Sequence, residues 1–203
     1  MARRSDHTRE ELKAITLQTA KNIVENEGFS KLTARRIAKE IGYAPGTIYN
    51  MFGSMDGLYF VLSEQTLNGL LQTLSKPSLY SYEAKTSDNL KVMARTYMGF
   101  AKENRQLWLM IFNHVLPKGE KAPEWYRDKI QNLFIPLEKL LEPLFTQSQS
   151  HEKKLAARAL WASVHGICFM EETDKIALIS DENSFDLAKY LIDNFVSGIE
   201  SNR

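Results

Sequence analysis

The sequence predicts an all-α protein in which a small N-terminal helical domain is joined to a larger one. Apolar residues recur at helical spacing through every long segment, and glycine and proline fall mainly between those segments. No segment shows the apolar and polar alternation that is typical of a β-strand. A chain of 203 residues is long enough for two unequal domains, which we expect over residues 1–53 and 54–203.

Three helices are expected in the smaller domain. The first covers residues 8–27 and stops at Gly28. The second follows Thr33, a suitable N-cap, and ends at Gly42. The third begins at Pro45, because proline lacks the N–H that would be unpaired at a first helical position. Two short helices joined by a tight turn must pack on the first helix, which predicts a helix-turn-helix whose second helix can enter a DNA major groove.

Six further helices are expected in the larger domain. One of them contains Pro136 and Pro143, which are expected to kink or split it. The predicted ranges are 54–75, 86–104, 105–116, 122–147, 150–174 and 184–201.

Composition excludes several classes of protein. No apolar run approaches the roughly 18 residues of a membrane helix. The charged start lacks the apolar stretch of a secretory signal, so a cytoplasmic location is expected. Cys168 cannot form a disulfide within the chain and is expected to be a buried thiol. The four histidines show no metal-binding spacing, and no phosphate loop or nucleophile elbow occurs, so no metal, cofactor or enzymatic activity is expected.

The positive charge is concentrated at the N-terminus. The chain as a whole carries a net charge of +1. Residues 1–55 hold nine Lys and Arg against six Asp and Glu, a net charge of +3, and the other residues hold 17 against 19. A basic N-terminal arm that includes Arg3 and Arg4 would screen the repulsion between DNA phosphates and the acidic groups of the protein.

A dense set of residues in and around the helix-turn-helix resembles the DNA-binding signature of the TetR family of transcriptional regulators. The matching residues are Gly28, Phe29, Leu32, Thr33, Arg35, Ile37, Ala38, Gly42, Gly46, Thr47, Ile48, Tyr49, Phe52, Ser54 and Leu58. The resemblance implies a double-stranded DNA operator as partner, and the residues expected to contact it are Thr33, Arg35, Tyr43, Ala44, Pro45, Gly46, Thr47, Tyr49 and Asn50.

Each expected DNA contact has a physical reason and an alternative. Gly46 lets the backbone approach DNA, and the hydroxyls of Thr47 and Tyr49 can bind phosphates. Alternatively, Tyr49 is a half-buried aromatic, Arg35 forms a surface ion pair, and Thr33 serves only as a helix cap.

Four residues depart from the usual pattern of the family. Tyr43 stands where a small apolar residue is common, and Ala44 replaces a frequent serine cap. Met51 replaces a histidine or aromatic residue, and Met55 replaces a lysine that usually contacts phosphate. These departures bear on the details of DNA contact and leave the predicted fold unchanged.

The larger domain contains Trp161, His165 and Gly166 in the spacing of a Trp-His-Gly subgroup of TetR-family C-terminal domains. The resemblance implies a homodimer in which the last two helices of each subunit form a four-helix bundle. Two stripes fit this arrangement, although each could instead face the core of its own domain. They consist of Leu155, Ala159, Ala162 and Gly166 on one helix and of Leu187, Leu191, Phe195 and Ile199 on the other.

The same resemblance implies an unknown small-molecule effector that binds the larger domain. Aromatic side chains are dense there and could line an apolar pocket, with Asn113 and His114 as polar groups that orient a ligand and Glu171 and Glu172 as acceptors for a cationic one. Each of these four polar residues could instead lie on a solvated helix face. These aromatics could equally fill a helical core, and His165 could be a hydrogen-bonded core or interface histidine. The candidate ligand-binding residues are Tyr97, Phe100, Trp108, Phe112, Asn113, Trp125, Trp161, His165 and Phe169.

The sequence therefore predicts a DNA-binding transcriptional regulator, in the usual mode of the family a repressor that a ligand releases from its operator. An alternative is a helical interaction module whose helix-turn-helix contacts another protein. Binding to DNA at low salt would separate the two hypotheses.

Overall fold

The computed structural model describes residues 7–202, and these residues form α-helices and short 3₁₀ turns without any strand. The all-α prediction is therefore confirmed. The helices are α1 (Arg9–Glu27), α2 (Ala34–Ile41), α3 (Pro45–Phe52), α4 (Met55–Leu74), α5 (Thr86–Glu103), α6 (Arg105–Asn113), α7 (Glu124–Asn132), α8 (Ile135–Leu141), α9 (Ser150–Glu172) and α10 (Ser184–Ser201).

Helix ends in the N-terminal part follow from local chemistry. Thr8 and Glu11 form a capping box at the start of α1, in which each side chain accepts a hydrogen bond from the backbone N–H of the other residue. Thr33 caps α2 by accepting from the N–H of Arg36 at 3.1 Å. Gly42 ends α2 in the left-handed conformation, with φ of 76°, which a residue without a Cβ adopts at little cost.

The helix predicted over residues 122–147 is split, as its prolines indicated. The observed helices α7 and α8 are separated after Asn132, and Pro136 occupies the first turn of α8, where its missing N–H costs no hydrogen bond. Pro143 lies in a 3₁₀ turn, Glu142–Leu144, that ends this part of the chain.

The described residues divide into two compact units. The first contains the chain up to Thr66 together with Asn104–Ala122, and the second contains Leu67–Glu103 and the chain from Pro123 onward. The predicted boundary after residue 53 differs from this division into units, because the first half of α4 packs in one unit with the helix-turn-helix. Helix α6 also belongs to that unit, whereas the sequence places residues 105–116 in the larger domain.

The first unit is built around one buried hydrophobic cluster. Ile37 of α2 and Ile48 of α3 are fully buried in it, with Ile41 and Phe52 partly buried against it. Leu58 and Leu62 of α4 and Leu107 and Met110 of α6 complete the cluster from distant parts of the sequence. The helix-turn-helix therefore shares its core with α4 and α6.

The connection between α3 and α4 is exceptionally tight at Gly57. A Cβ at this position would lie 2.0 Å from the carbonyl oxygen of Phe52, a backbone atom that cannot turn aside. The N–H of Gly57 also donates to the Ser54 hydroxyl at 3.0 Å. Only glycine allows the first turn of α4 to approach the end of α3 this closely.

The second unit packs α5, α8, α9 and α10 around its own core. The α9 face that points into this core carries Ala157, Leu160, Val164 and Cys168, so the expectation of a buried thiol is confirmed. The stripe predicted for a dimer lies on another face of α9 and is solvent-exposed in the single chain, so it does not serve the core of its own unit. Its members are Leu155, Ala159, Ala162 and Gly166.

Helix α10 shows a similar separation of faces. Ala188, Ile192 and Val196 are buried in the core of the second unit. The predicted stripe of Leu187, Leu191, Phe195 and Ile199 is only partly buried. Within residues 7–202, no helix combines the length and apolar character needed to cross a lipid bilayer.

The shared core of the first unit leads to a stability prediction. Met110→Ala removes a fully buried side chain of α6 and should lower the free energy of unfolding by about 2–5 kcal/mol. Urea titration followed by circular dichroism measures the loss. The control is Asn113→Ala, at an exposed position on the same helix, which should change little. Equal stability of the two variants would show that α6 is not a structural part of this core.

Candidate nucleic-acid interface and effector site

All nine residues predicted to contact DNA lie at the surface of the first unit, on α2, the following turn and α3. Tyr43 and Thr47 are partly buried, and the other seven are exposed. Tyr49 is 47% exposed, which agrees with the alternative of a half-buried aromatic side chain and leaves part of the side chain accessible to DNA. Thr33 acts as the cap of α2, so the capping alternative is confirmed for this residue without excluding a DNA contact.

Two neighbouring arginines at the start of α2 differ in their electrostatic environment. Arg36 donates to Glu27 at 2.7 Å and lies 3.4 Å from Glu40, and these carboxylates raise the pKa of its guanidinium. Arg35 is exposed and has no ion pair with any residue from 7 to 202. The ion-pair alternative that the sequence left open for Arg35 applies to Arg36 instead.

Gly46 is not required by packing within the chain. A Cβ at this position would have no heavy atom within 4 Å. The residue is exposed in the first turn of α3, next to Thr47. Since no contact within the chain requires glycine at this position, the missing side chain leaves space for another molecule to approach the backbone of α3.

Tyr43 has a partner that the sequence did not indicate. Its hydroxyl is 3.0 Å from Nδ1 of His7, 36 residues earlier, and the two ring centroids are 6.2 Å apart. Nothing in the local sequence pattern predicts this pair, since it joins the start of α1 to the turn before α3. The predicted basic arm, with Arg3 and Arg4, lies outside the described residues.

The two methionines that depart from the family pattern are core residues. Met51 and Met55 are partly buried and pack against the hydrophobic cluster of the first unit. Both positions contribute to packing, so apolar side chains fit here. This explains how methionine can replace the histidine or aromatic residue that the family usually has at position 51 and the lysine that it usually has at position 55.

An aromatic cluster surrounds His165 in the second unit. The Tyr97 hydroxyl is 2.8 Å from Nδ1 of His165, and the Trp161 ring stacks on the imidazole with centroids 4.8 Å apart. Phe169 lies 6.1 Å from His165 between ring centroids, and Phe134 meets Trp161 edge-on at 5.5 Å. We call these five residues the aromatic cluster. Three of the predicted ligand-binding aromatics and His165 belong to it, and Phe134 was missed because only its position in the folded chain brings it there.

Burial sets the protonation state of His165. The surrounding side chains exclude water and lower its pKa to about 4 from the ordinary value of 6.5, because the imidazolium form loses hydration. His165 is therefore neutral near pH 7, with one ring nitrogen as donor and the other as acceptor. This environment agrees with the hydrogen-bonded core histidine that the sequence left open.

The other five predicted ligand-binding residues are not part of the aromatic cluster. Phe100 and Trp125 belong to the second unit, where Phe100 lies beside Gly69 and Trp125 is 42% exposed against Tyr126. Trp108, Phe112 and Asn113 belong to α6 and hence to the first unit. The structure therefore divides the predicted set between two units.

The polar residue next to Asn113 already has partners. Nε2 of His114 lies 2.7 Å from a carboxylate oxygen of Asp56, and its ring stacks on Tyr59 with centroids 4.3 Å apart. His114 therefore binds the start of α4 within the first unit. Asn113 itself is exposed.

Neither of two cavities in the second unit is lined by the nine candidate ligand-binding residues, although Glu171 and Glu172, suggested as polar groups for a ligand, line the first of them. One, of about 460 Å³, lies between α5, the end of α9 and the start of α10, and the other, of about 450 Å³, lies between the α4–α5 connection and α8. In the part of the chain that the structure describes, no group of three or more His, Cys, Asp or Glu could hold a metal ion.

Comparison with protein families agrees with this architecture. The model described as bacterial regulatory proteins of the tetR family matches residues 17–62, which include all nine predicted DNA-contacting residues. The model described as tetracyclin repressor-like, C-terminal domain, matches residues 90–195, about half of the chain. The chain belongs to the TetR family. It is therefore a DNA-binding transcriptional regulator with an N-terminal helix-turn-helix.

Individual relatives are distant. The nucleoid occlusion factor SlmA of Vibrio cholerae is 26% identical over 135 residues, covering 66% of each chain. A solved structure described as a possible TetR family transcriptional regulator, from Streptomyces coelicolor A3(2), has a TM-score of 0.67 at 13% identity and covers 94% of this chain and 100% of its own. The multidrug binding protein EbrR, solved with imidazole, has a TM-score of 0.61 at 19% identity, with 96% and 97% coverage. These structural similarities show that the TetR-family fold extends over nearly the whole chain.

The protonation state of His165 leads to a pH prediction for this TetR-family chain. Because the folded pKa of about 4 is below 6.5, the unfolded chain binds the proton first, and stability is lost as pH falls from about 6.5 toward 4. His165→Gln removes this titrating group. Between pH 7 and about pH 4.5, the free energy of unfolding should therefore fall by about 2 kcal/mol more in the wild type than in the variant. Urea titrations at several pH values measure it. The control is His151→Gln, at an exposed position on the same helix. Parallel pH profiles for wild type and His165→Gln would contradict the buried neutral imidazole.

Proposed function

We propose that this regulator is a cytoplasmic, non-enzymatic repressor that binds a double-stranded operator as a homodimer and is released by a small-molecule effector. The observation that carries the DNA-binding part is the surface of α2 and α3. This surface combines the cation of Arg35, which forms no ion pair within residues 7–202, the hydroxyls of the exposed Tyr49 and the partly buried Thr47, and a glycine at position 46 that intramolecular packing does not require. These groups are suited to contact a polyanion at short distance.

The residues of this surface divide into two roles. Thr47 and Tyr49 present hydroxyls that bind phosphate oxygens and position α3 without reading sequence. Tyr43, Ala44 and Pro45 lie in the turn and at the start of α3, where side chains can meet base edges or thymine methyl groups. Asn50 follows on the exposed side of α3, and Arg35 and Thr33 extend the surface onto α2.

The paired arginines provide a matched test of DNA binding. Arg35→Gln should weaken operator binding and reduce the log–log salt slope by about 0.9 per subunit, because one phosphate-directed charge is lost. Arg36→Gln is the control and should change the salt slope less, since Arg36 already forms ion pairs with Glu27 and Glu40. Titrations at two salt concentrations measure both variants. Identical salt slopes for Arg35→Gln and wild type would exclude Arg35 from the interface.

Substitutions on α3 should separate the two roles. Tyr49→Phe removes only a hydroxyl and should weaken all DNA sequences alike, by roughly 1 kcal/mol. Replacement of Tyr43 or Ala44 should instead change base preference, with penalties of about 1–3 kcal/mol at particular positions. Selection from a randomised operator library reports both effects. A change in base preference with Tyr49→Phe, together with uniform losses at Tyr43 and Ala44, would show that the roles are assigned wrongly.

The exposed stripe on α9 supports a homodimer through the last two helices. Leu155 is 57% exposed, and Ala159, Ala162 and Gly166 continue the same face with small side chains. Small residues let a second helix approach closely, and burial of exposed leucine stabilises the association. The partly buried stripe of α10 lies beside a separate core-facing row, so it remains available to a second subunit.

Introduction of a charge in this stripe should break the dimer. Ala162→Glu would place a carboxylate in the proposed bundle, so the variant should sediment as a monomer and bind the operator more weakly, because half-sites are then no longer bound together. Gln147→Glu adds the same charge at an exposed position before α9 and should leave the dimer intact. If the Ala162→Glu variant stayed dimeric with unchanged DNA binding, the dimer interface would lie on another surface.

The aromatic cluster is the part of the second unit that we assign to an apolar or amphipathic effector. A flat aromatic surface at Trp161 beside a neutral His165 that is hydrogen-bonded to Tyr97 offers apolar area next to polar groups, which is typical of small-molecule sites. If a ligand binds the conformation that cannot bind DNA a hundredfold more tightly than the DNA-binding conformation, its binding to each subunit contributes about 2.7 kcal/mol to release from the operator. Phe100 and Trp125 of the same unit, and the residues of α6, stay candidates for the same role.

Tryptophan fluorescence tests the effector site. A variant that retains Trp161 but carries phenylalanine at positions 108 and 125 should change its emission when an apolar effector binds, at the concentration that releases operator DNA. The matched variant Trp161→Phe keeps the other two tryptophans and should lose most of that signal. An effector that releases the operator with no response from Trp161 would place its site away from the aromatic cluster.

A further inference from the structure

The cavity between α5, α9 and α10 is distinct from the aromatic cluster and shares no residue with it. Its volume of about 460 Å³ falls in the range of roughly 300–1,000 Å³ that is typical of small-molecule sites. Arg95, Met98, Gly99 and Lys102 of α5 form one wall, and Phe185 at the start of α10 faces it. The proposed function assigns nothing to this cavity.

The α5 wall presents two cations along one helical face. Arg95, Gly99 and Lys102 follow each other at spacings of four and three residues, so they share a face over two helical turns, or about 10 Å. A Cβ at Gly99 would have no heavy atom within 4 Å, so the surface between the two cations is open. Within residues 7–202, neither Arg95 nor Lys102 has an ion-pair partner.

Arg95 is held in an orientation suited to an anion. Its guanidinium carbon lies 4.0 Å from the centroid of the Phe185 ring. Stacking covers one face of the planar guanidinium and leaves N–H groups at its edge, where two parallel hydrogen bonds to a carboxylate can form. Phe185 therefore both positions the cation and offers apolar surface beside it.

The other charges of the cavity limit the charge of a ligand. Asp186 forms an ion pair with Lys189 and accepts a hydrogen bond from the side-chain amide of Asn183, and these two groups lower its pKa, with a smaller contribution from the charge of Arg95. Glu172 is buried at 6% exposure, and Glu171 is exposed at the rim. The lining thus holds acidic groups beside its cations Arg95, Lys102 and Lys189, and these acidic groups repel a dianion such as a phosphate monoester more strongly than a monoanion.

We propose that this cavity binds a small monocarboxylate with an apolar body. The carboxylate accepts two hydrogen bonds from Arg95, Lys102 supplies a second positive charge along α5, and the apolar body lies against Met98 and Phe185. This site recognises an anion, whereas the aromatic cluster has no cationic group among its five members. The chain therefore has a second ligand site with different chemistry.

Direct binding of three matched probes to the full-length dimer tests the proposal. The probes are 2-naphthoate, the neutral 2-naphthamide and the cation 2-naphthylmethylammonium, measured by calorimetry without DNA. We expect saturable binding of the carboxylate alone. Arg95→Gln should weaken it about 10- to 100-fold, since a charge-assisted pair of hydrogen bonds is lost, and Lys102→Gln should weaken it several-fold.

The control variant is Lys154→Gln, which removes an exposed cation of the second unit outside the cavity and should leave naphthoate binding unchanged. Lys102 is exposed and makes no ion pair within residues 7–202, so its variant tests the site even if loss of the Arg95 stack destabilises the fold. No saturable naphthoate binding, equal binding of the amide, or unchanged affinity in both α5 variants would overturn the proposal. Since no operator is present, failure here is independent of the proposed repressor function.

Discussion

The buried hydrophobic cluster that contains Ile37 and Ile48 is the feature on which the proposed DNA-binding surface depends. Helices of eight residues are far too short to be stable alone, so α2 and α3 exist only because their apolar sides are covered. Leu107 and Met110 on α6, more than fifty residues later in the chain, belong to the same cluster, in which α6 packs against α1. The exposed side of α3 can therefore be polar and open, because its stability comes entirely from the opposite side.

Helix α9 meets a related constraint with a different solution. One face fills the core of its unit with Leu160 and Val164, and another exposes Leu155 and a row of small residues. A helix with apolar groups on two faces has a free-energy cost in water unless both faces are covered. Folding of one chain covers the first face, and association is the natural way to cover the second.

The sequence predicted most helices and many of their ends, because caps and breaks such as Thr33, Gly42 and Pro136 act over a few residues. It could not predict which helices share a core. Helical spacing shows that a face is apolar but does not identify its partner, so α6 was placed with the larger domain. Contacts between distant residues, such as Tyr97 with His165 or Arg95 with Phe185, were beyond prediction for the same reason.

The close approach at Gly57 has a consequence for genetics. Any other residue there would place a Cβ on the Phe52 carbonyl and force α3 and α4 apart, although position 57 is not among the residues expected to touch DNA. A collection of alleles selected for loss of DNA binding would therefore contain changes at Gly57 beside changes at residues that contact DNA. Such alleles would be distinguished by an altered proton-exchange rate of the Gly53 amide, which bonds to the Tyr49 carbonyl at the end of α3.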